Sequence, residues 1–171
     1  ERNPGDQKQA AALAVLADLL GGSGTTSVLT KALQFDTQTA VFSSAYYDGT
    51  SVDPQTFGLV VVPAEGVSLA DAEAAMDKAI AQFLNDGVNA QDFARIKTQI
   101  RAGQIYARDN AGGLARTYGE ALAVGLSVKD VQDWPDVLQA VTPEDVMAAA
   151  KLVFNRDQAV TGWLTTKEAA Q

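Results

Sequence analysis

The hydrophobic positions fall into blocks with different periods, and the densest block lies near the start. Between Ala10 and Leu33, AAALAVLADLLGGSGTTSVLTKAL, the residues Ala12, Leu13, Val15, Leu16, Leu19 and Leu20 cover more than one helical stripe, which predicts a helix buried on most sides. Gly21-Gly22 is placed to stop it, because glycine takes the left-handed conformation past a helix end without a Cβ clash. Thr25, Thr26 or Ser27 can then cap a second short helix. The remaining elements are expected to pack around this helical hairpin. A glycine-rich turn that opens a helix also suits a phosphate. A phosphate loop, however, needs a strand before the glycines and Lys-Ser/Thr after them, whereas here a helix precedes and Thr25-Thr26-Ser27 follows.

The period then drops to two. Thr37 to Tyr47, TQTAVFSSAYY, places Ala40, Phe42, Ser44 and Tyr46 on one parity and reads as a strand. Tyr46 and Tyr47 consequently point to opposite faces, and the alternation leaves open which of them packs inward. Asp48-Gly49 and Asp53-Pro54 supply turn chemistry before a second extended run, Thr56 to Val62, so the two runs are expected to pair as antiparallel neighbours.

Helical spacing returns after Pro63. Ser68-Leu69-Ala70-Asp71 has capping-box spacing and precedes Ala72, Met76, Ala79, Ile80, Phe83 and Leu84, with Gly87 closing the helix. Asn89 and Asp92 open what reads as the longest helix, with Phe93, Ile96, Ile100 and, further on, Tyr106 as its apolar edge, and Arg95, Lys97, Arg101 and Arg108 facing water. After a break at Asp109 to Gly113, Leu114, Tyr118, Ala121 and Leu122 keep a helical period up to Gly125. Ser127 to Asp130 and Thr142 to Asp145 repeat the cap spacing, the second with Pro143 in the first helical position. Two short helices are therefore expected to flank Trp134-Pro135, with the Trp134 ring anchoring their connection. AVTGWL, Ala159 to Leu164, predicts a strand returning to the sheet, followed by a loose tail from Thr165.

Two strands, a long helical stretch and a last strand predict an α+β fold: a two-layer sandwich with a mostly antiparallel sheet covered by helices on one face. With 171 residues, 47% of them hydrophobic, the chain fits one domain spanning 1–171. A net charge of −8 argues against nucleic acid or an anionic membrane as partner. No run approaches the roughly 18 to 20 apolar residues of a membrane crossing, since Asp18 and the glycine pair interrupt the first helix. The polar start, ERNPGD, begins without Met and lacks the features of a secretion signal, so the chain reads as trimmed.

The chemistry is bounded most sharply by what is missing. There is no Cys, hence no disulfide or thiolate ligand, and no His, hence no histidine general base or zinc ligand. Among the carboxylates, Glu65, Asp71 and Glu73 cluster in sequence, as do Asp130, Asp133 and Asp136. Helix capping accounts for most of them, because acids favour a helix N-terminus. Arg101, Tyr106, Arg108, Arg116 and Tyr118 offer donors suited to a substrate carboxylate or carbonyl, against the simpler reading of a solvated helix face. No catalytic and no metal-ligating residue is assigned to this chain, and its substrate-binding residues are not legible.

The order of these stretches resembles the pitrilysin/insulinase-type zinc peptidases and mitochondrial processing peptidase. The resemblance is carried by LADLLGGSGTTSVLTKAL, AYYDG, VVPAEGVSLADAE, the segment DGVNAQDFARIKTQIRAGQIYARDNAGGLARTYGEALAVG, DWPDVLQAVTPEDVMAAAKLVF and AVTGWL. It implies a processing-peptidase-like metallohydrolase fold in which a subunit has two similar α+β domains. The active amino-side domain carries zinc on His-x-x-Glu-His. With no His, this chain resembles the non-zinc carboxyl-side domain, and the first strand of that domain is expected to lie ahead of Glu1. The family's substrate-holding Arg and Tyr would fall near Val60 and Leu69, where neither residue stands, and the usual Ser-Arg-Leu after the glycine corner is Ser27-Val28-Leu29.

By that resemblance the chain is expected to form part of the wall of a chamber enclosing unstructured peptides, with zinc and catalytic residues supplied by another domain or subunit. This segment alone is expected to be inactive and to hold no cofactor, zinc belonging to the parent or partner. The implied partners are the amino-side domain, a homologous subunit in a dimer, and peptide substrate. A scaffold module of the same fold in a protein without peptidase activity is the alternative, and an unrelated α+β enzyme using Tyr and Arg is a third. The resemblance suggests a bacterial protein of the periplasm or cytoplasm.

Overall fold

The computed structural model describes residues 2–22, 24–53 and 55–165, so the tail expected to be loose falls, from residue 166 on, outside the described residues. Helix α1 spans Lys8–Ala17, and its greasy sequence is buried almost throughout. The glycine pair does not stop the helix through a left-handed residue; the chain widens into a π-helical turn, Asp18–Gly22, and positive φ is confined to Gly5, Gly66, Gly87 and Gly125 among the described glycines. Gly21 is required for a different reason. A Cβ there would stand 2.0 Å from the Ala45 amide nitrogen and 2.5 Å from the Ser44 carbonyl carbon, so the helix backbone lies directly on the backbone of the strand it crosses. The second arm of the hairpin is also π-helical over Thr30–Asp36, burying Thr30 and Leu33.

Strand β1, Ala40–Tyr46, pairs antiparallel with β2, Gly58–Pro63. Phe42 faces Val62, Ser44 faces Val60 and Tyr46 faces Gly58, with a register shift between Ala40 and Phe42. Ser43 and Ala45 are buried against the helices, while Phe42 and Tyr46 look outward. Tyr47 is the tyrosine that packs against the core, which resolves the alternation left open by the sequence.

Helix α2, Leu69–Asp86, starts at Ser68, whose Oγ accepts from the Asp71 N–H at 3.0 Å, and ends at Gly87 with φ 80°. Helix α3, Ala90–Ala107, is capped by Asn89 and has the same 18-residue length as α2. Its apolar edge is Ile96 with half-buried Phe93 and Ile100; Tyr106 is 75% exposed and lies outside it. Helix α4 covers Ala111–Ala123. Helix α5, Val128–Ala140, runs straight through Trp134-Pro135 in place of the two helices expected to flank them. Proline forfeits one N–H donor there, but α5 is held at both ends, by the Ser127–Asp130 capping box and by Lys97 at its C-terminus. Helix α6, Pro143–Val153, begins with a second capping box and Pro143 in the first turn.

The strand expected at Ala159–Leu164 does not form; among the described residues the sheet has two strands. Those residues run extended over α2, where Glu73 accepts from Thr161 Oγ1 at 3.0 Å, Trp163 Nε1 at 2.9 Å and Arg156 Nη2 at 3.1 Å. Side-chain anchoring to α2 takes the place of a backbone ladder, and Leu164 is left 93% exposed.

The result is an α+β fold in two layers, a small antiparallel sheet with helices on one face. α1 packs against β1 and against helices α5 and α6, and the core centres on Leu16, Leu20, Leu29, Leu33, Ile96 and Val146. Each such side chain contributes about 1.5–3 kcal/mol by leaving water. No helix among the described residues is long and apolar enough to cross a membrane.

Candidate functional site

The fold leaves its apolar surface open on the outer face of the sheet. Phe42, Tyr46, Val60 and Val62 are all exposed there, and neither strand contains a charged residue. Cross-strand contact makes the patch continuous: Phe42 stands opposite Val62, and the Tyr46 ring lies over Gly58, where a Cβ would come within 2.1 Å of Tyr46 Cζ. An aromatic ring covering a strand glycine restores contact that the missing side chain would lose. A continuous apolar patch of this kind marks an interaction surface more often than chance exposure.

The opposite face of β1 is tied to the hairpin by polar groups. Ser27 Oγ and Thr30 Oγ1 are 2.9 Å apart, and Gln34 Nε2 donates to Ser43 Oγ at 2.9 Å. Beyond the corner, Arg95 reaches back from α3 to the Thr26 hydroxyl and carbonyl. Asp92 accepts from Arg95 at 2.8 Å and from Lys31 at 2.9 Å. Burial alone would raise the Asp92 carboxyl, but these two donors hold it below its ordinary value. Arg95 therefore does not belong to a wet helix face, as its spacing suggests; it fastens the glycine corner to α3.

The acidic residues divide by what they cap. Asp71 belongs to the Ser68 cap, Glu73 anchors the extended segment over α2, Asp133 pairs with Lys129 at 2.6 Å, and Glu65 and Asp136 are exposed. Asp130 is the centre of an N-terminal clasp. Its Oδ2 accepts from Ser127 Oγ at 2.6 Å and Ser127 N at 2.8 Å, and its Oδ1 from Gly5 N at 2.8 Å. The Asp130 carbonyl accepts from Gln7 Nε2 and Arg2 Nη2, and the Arg2 guanidinium sits 4.1 Å from the Trp134 ring centroid. Trp134 thus anchors the N-terminal segment as well as the core.

Donors from Ser127 and Gly5 hold the Asp130 carboxyl at about 2 against an ordinary 3.8. A depressed carboxyl stabilises the folded state fully above its unfolded value and loses that contribution as pH falls toward the folded one. Asp130→Ala is accordingly expected to lower Tm by about 2–4 °C near neutral pH. The gap between the two proteins should close between about pH 4 and pH 2 in a series of thermal melts. A gap that does not change with pH would mean that the charged carboxylate is not what holds the clasp.

Arg101, Tyr106, Arg108, Arg116 and Tyr118 are not brought together as a site. None of them lines either of the two cavities beside α3, and Arg116 faces Glu120 at 3.9 Å along its own helix. Zinc does not fit this chain's donors. The sequence has no His or Cys, and among the described residues no group of three or more acidic side chains is placed to hold a metal.

Residues 2–100 match the family described as Peptidase M16 inactive domain. The chain belongs to that family. The M16 inactive domain seen here superposes on solved structures with TM-scores that leave no doubt of a shared fold. One is described as the inactive peptidase domain of a candidate zinc protease from Bordetella parapertussis, with TM-score 0.80 and 15% identity over 96% of this chain and 86% of that one. Another, described as a candidate zinc protease from Bordetella pertussis Tohama I, has TM-score 0.77 and 16% identity over 93% of this chain and 87% of that one. A protease from Helicobacter pylori gives TM-score 0.75 and 18% identity, with 92% of this chain covering 37% of that longer one. No curated protein matches the sequence significantly.

Within this M16 inactive domain, Val28 is half-buried against the hydrophobic core, so the apolar residue at the position where the resemblance expects Arg suits its surroundings. Val60 is exposed on the outer sheet face and Leu69 opens α2. Sequence reasoning passed over Arg2, Asp18 and the inward roles of Arg95 and Lys97. For Asp18 a signal was present: it is the one acid inside an otherwise greasy helix.

Proposed function

We propose that this M16 inactive domain is the non-catalytic carboxyl-side domain of a two-domain subunit. It forms part of the wall of a chamber that encloses unstructured peptides, and another domain or subunit supplies zinc, activated water and the general base. The observation that carries this reading is the outer sheet face, a continuous uncharged strip of Phe42, Tyr46, Val60 and Val62 with no covering element among the described residues. An extended peptide meets such a face through apolar contact with little demand on its sequence, and main-chain hydrogen bonds are available to it only at an edge of the two-stranded sheet.

The test uses this chain alone and together with an amino-side domain carrying His-x-x-Glu-His. With zinc and an unfolded peptide, the chain alone is expected to show no hydrolysis above background, and cleavage is expected once the amino-side domain is added. Chelator-sensitive turnover by the chain alone would overturn the proposal. A reconstituted pair that never cleaves would favour a scaffold of the same fold.

A further inference from the structure

We infer that the cleft between the π-helical end of α1 and helix α3 binds an alkylammonium group, with the Asp18 carboxylate as its counter-ion.

Two cavities meet at Asp18. One, of about 440 Å³, lies between the glycine corner and α3, bordered by Gly22, Gly24, Ile96 and Gln99. The other, of about 220 Å³, continues toward α5, bordered by Gly103, Gln104, Trp134 and Leu138. Asp18 and Ile100 line both. Among the described residues Asp18 is the only charged side chain in either lining. Burial pushes its carboxyl up, and among the described residues no cation or hydrogen bond acts in the other direction. Elsewhere on this molecule partly buried acids have donors, as Asp92 and Asp130 do. Asp18 stands apart in having a cavity where a donor would be.

The surrounding glycines shape the opening. A Cβ at Gly22 would come within 2.5 Å of Asp18 Oδ1, so the carboxylate occupies the space that a side chain there would fill, whereas a Cβ at Gly24 or Gly103 would meet nothing within 4 Å. The π-helical turn that carries Asp18 is a feature found often at functional sites. The ligand class follows from the lining. One carboxylate cannot satisfy a hard metal ion, which takes six or more oxygens. An ammonium has three N–H donors; the Asp18 carboxylate accepts from it, and each cavity adds one glutamine to its lining, Gln99 in the larger and Gln104 in the smaller. Ile96, Ile100 and Leu138 suit the methylene stem that carries it. A free alkylamine and a lysine side chain share this chemistry.

The experiment is an NMR titration of the 171-residue chain with n-pentylamine and, as an isosteric neutral control, n-pentanol. The amine is expected to bind at least about tenfold more tightly than the alcohol. Asp18→Asn is expected to abolish that preference while raising Tm, because it removes a desolvated charge. Gly103→Leu, which leaves Asp18 in place, is expected to block the amine by filling the mouth. Equal binding of amine and alcohol, or an amine affinity unchanged in Asp18→Asn, would overturn the inference. A lysine-containing peptide compared with its norleucine counterpart separates the two sources: a lysine preference identifies a peptide side chain, and its absence beside amine binding identifies a small amine. Because it needs no amino-side domain and no hydrolysis, this test can fail while the chamber reading stands, and the reverse.

Discussion

Gly21→Ala is expected to destabilise the domain by about 3 kcal/mol or more, several times a typical helix-surface change. The new methyl carbon would lie 2.0 Å from the Ala45 nitrogen, 2.5 Å from the Ser44 carbonyl carbon and 2.8 Å from Ser44 Cα. All three are backbone atoms, so no rotamer change relieves the overlap. Helix and strand must separate, and separation opens voids beside Leu19 and Leu20, both buried at this crossing. For a chain of this length such a loss corresponds to a Tm lower by roughly 6–12 °C. Gly24→Ala, three positions on and with nothing within 4 Å of the added carbon, should stay within about 0.5 kcal/mol. Urea denaturation followed by circular dichroism compares the two, and a Gly21→Ala midpoint equal to that of Gly24→Ala would contradict direct backbone packing of α1 on β1.

Lys97→Met is expected to cost about 2 kcal/mol, although Lys97 sits at a position that helical spacing assigns to water. Its ammonium donates to three carbonyls at the end of α5, Leu138 at 2.6 Å, Gln139 at 2.7 Å and Val141 at 3.0 Å. The last turn of a helix leaves its carbonyls without N–H partners and carries a partial negative charge, so a cation with three donors answers both needs. Gln139 Nε2 returns a bond to the Lys97 carbonyl at 3.2 Å, which fixes α3 against α5 from both sides. Burial pulls the Lys97 ammonium below its ordinary value, with nearby Asp145 opposing it. That desolvation offsets part of the hydrogen-bond gain and keeps the expected effect near 2 kcal/mol. Lys97→Arg should fall between the two, since a planar guanidinium cannot aim three bonds from one nitrogen. Arg101→Met, on an exposed face of the same helix, should change stability little. Amide exchange at the C-terminal end of α5 should quicken in Lys97→Met; unchanged protection there would remove the clamp from the account.

Elements signalled by neighbouring residues were legible. Ser68, Asn89, Ser127 and Thr142 each cap the helix their spacing announces, because a cap is a contact between groups two or three residues apart. The two-residue alternation located β1 and β2 for the same reason. Pro135 misled because the cost of one missing donor is local, while the bonds that keep α5 whole come from α3 and from the N-terminal segment. AVTGWL misled in the opposite sense. Its β-rich composition is real, but strand formation needs an edge to pair with, and Glu73 draws its side chains onto α2.

The candidate site was less legible than the fold. A count of His and Cys was enough to remove the commonest zinc ligands, since it needs no geometry. The apolar outer face could not be placed, because alternation shows that Phe42 and Tyr46 share a side without showing which side the helices cover. Asp18 could be read as an interruption of an apolar helix, yet the cavity beside it exists only where α1, α3 and α5 meet.

By itself, then, the amino-acid order determined the α+β class, the helix starts, the paired strands and the lack of His and Cys. Each of these rests on composition or on groups a few residues apart. Tertiary structure alone decided that Gly21 serves close approach, that Lys97 and Arg95 turn inward, that the last apolar segment stays off the sheet and that Asp18 faces a cleft. Those outcomes join residues 41 positions apart for Lys97 and Leu138, 69 for Arg95 and Thr26, and 90 for Trp163 and Glu73, and only packing brings such partners within bonding distance.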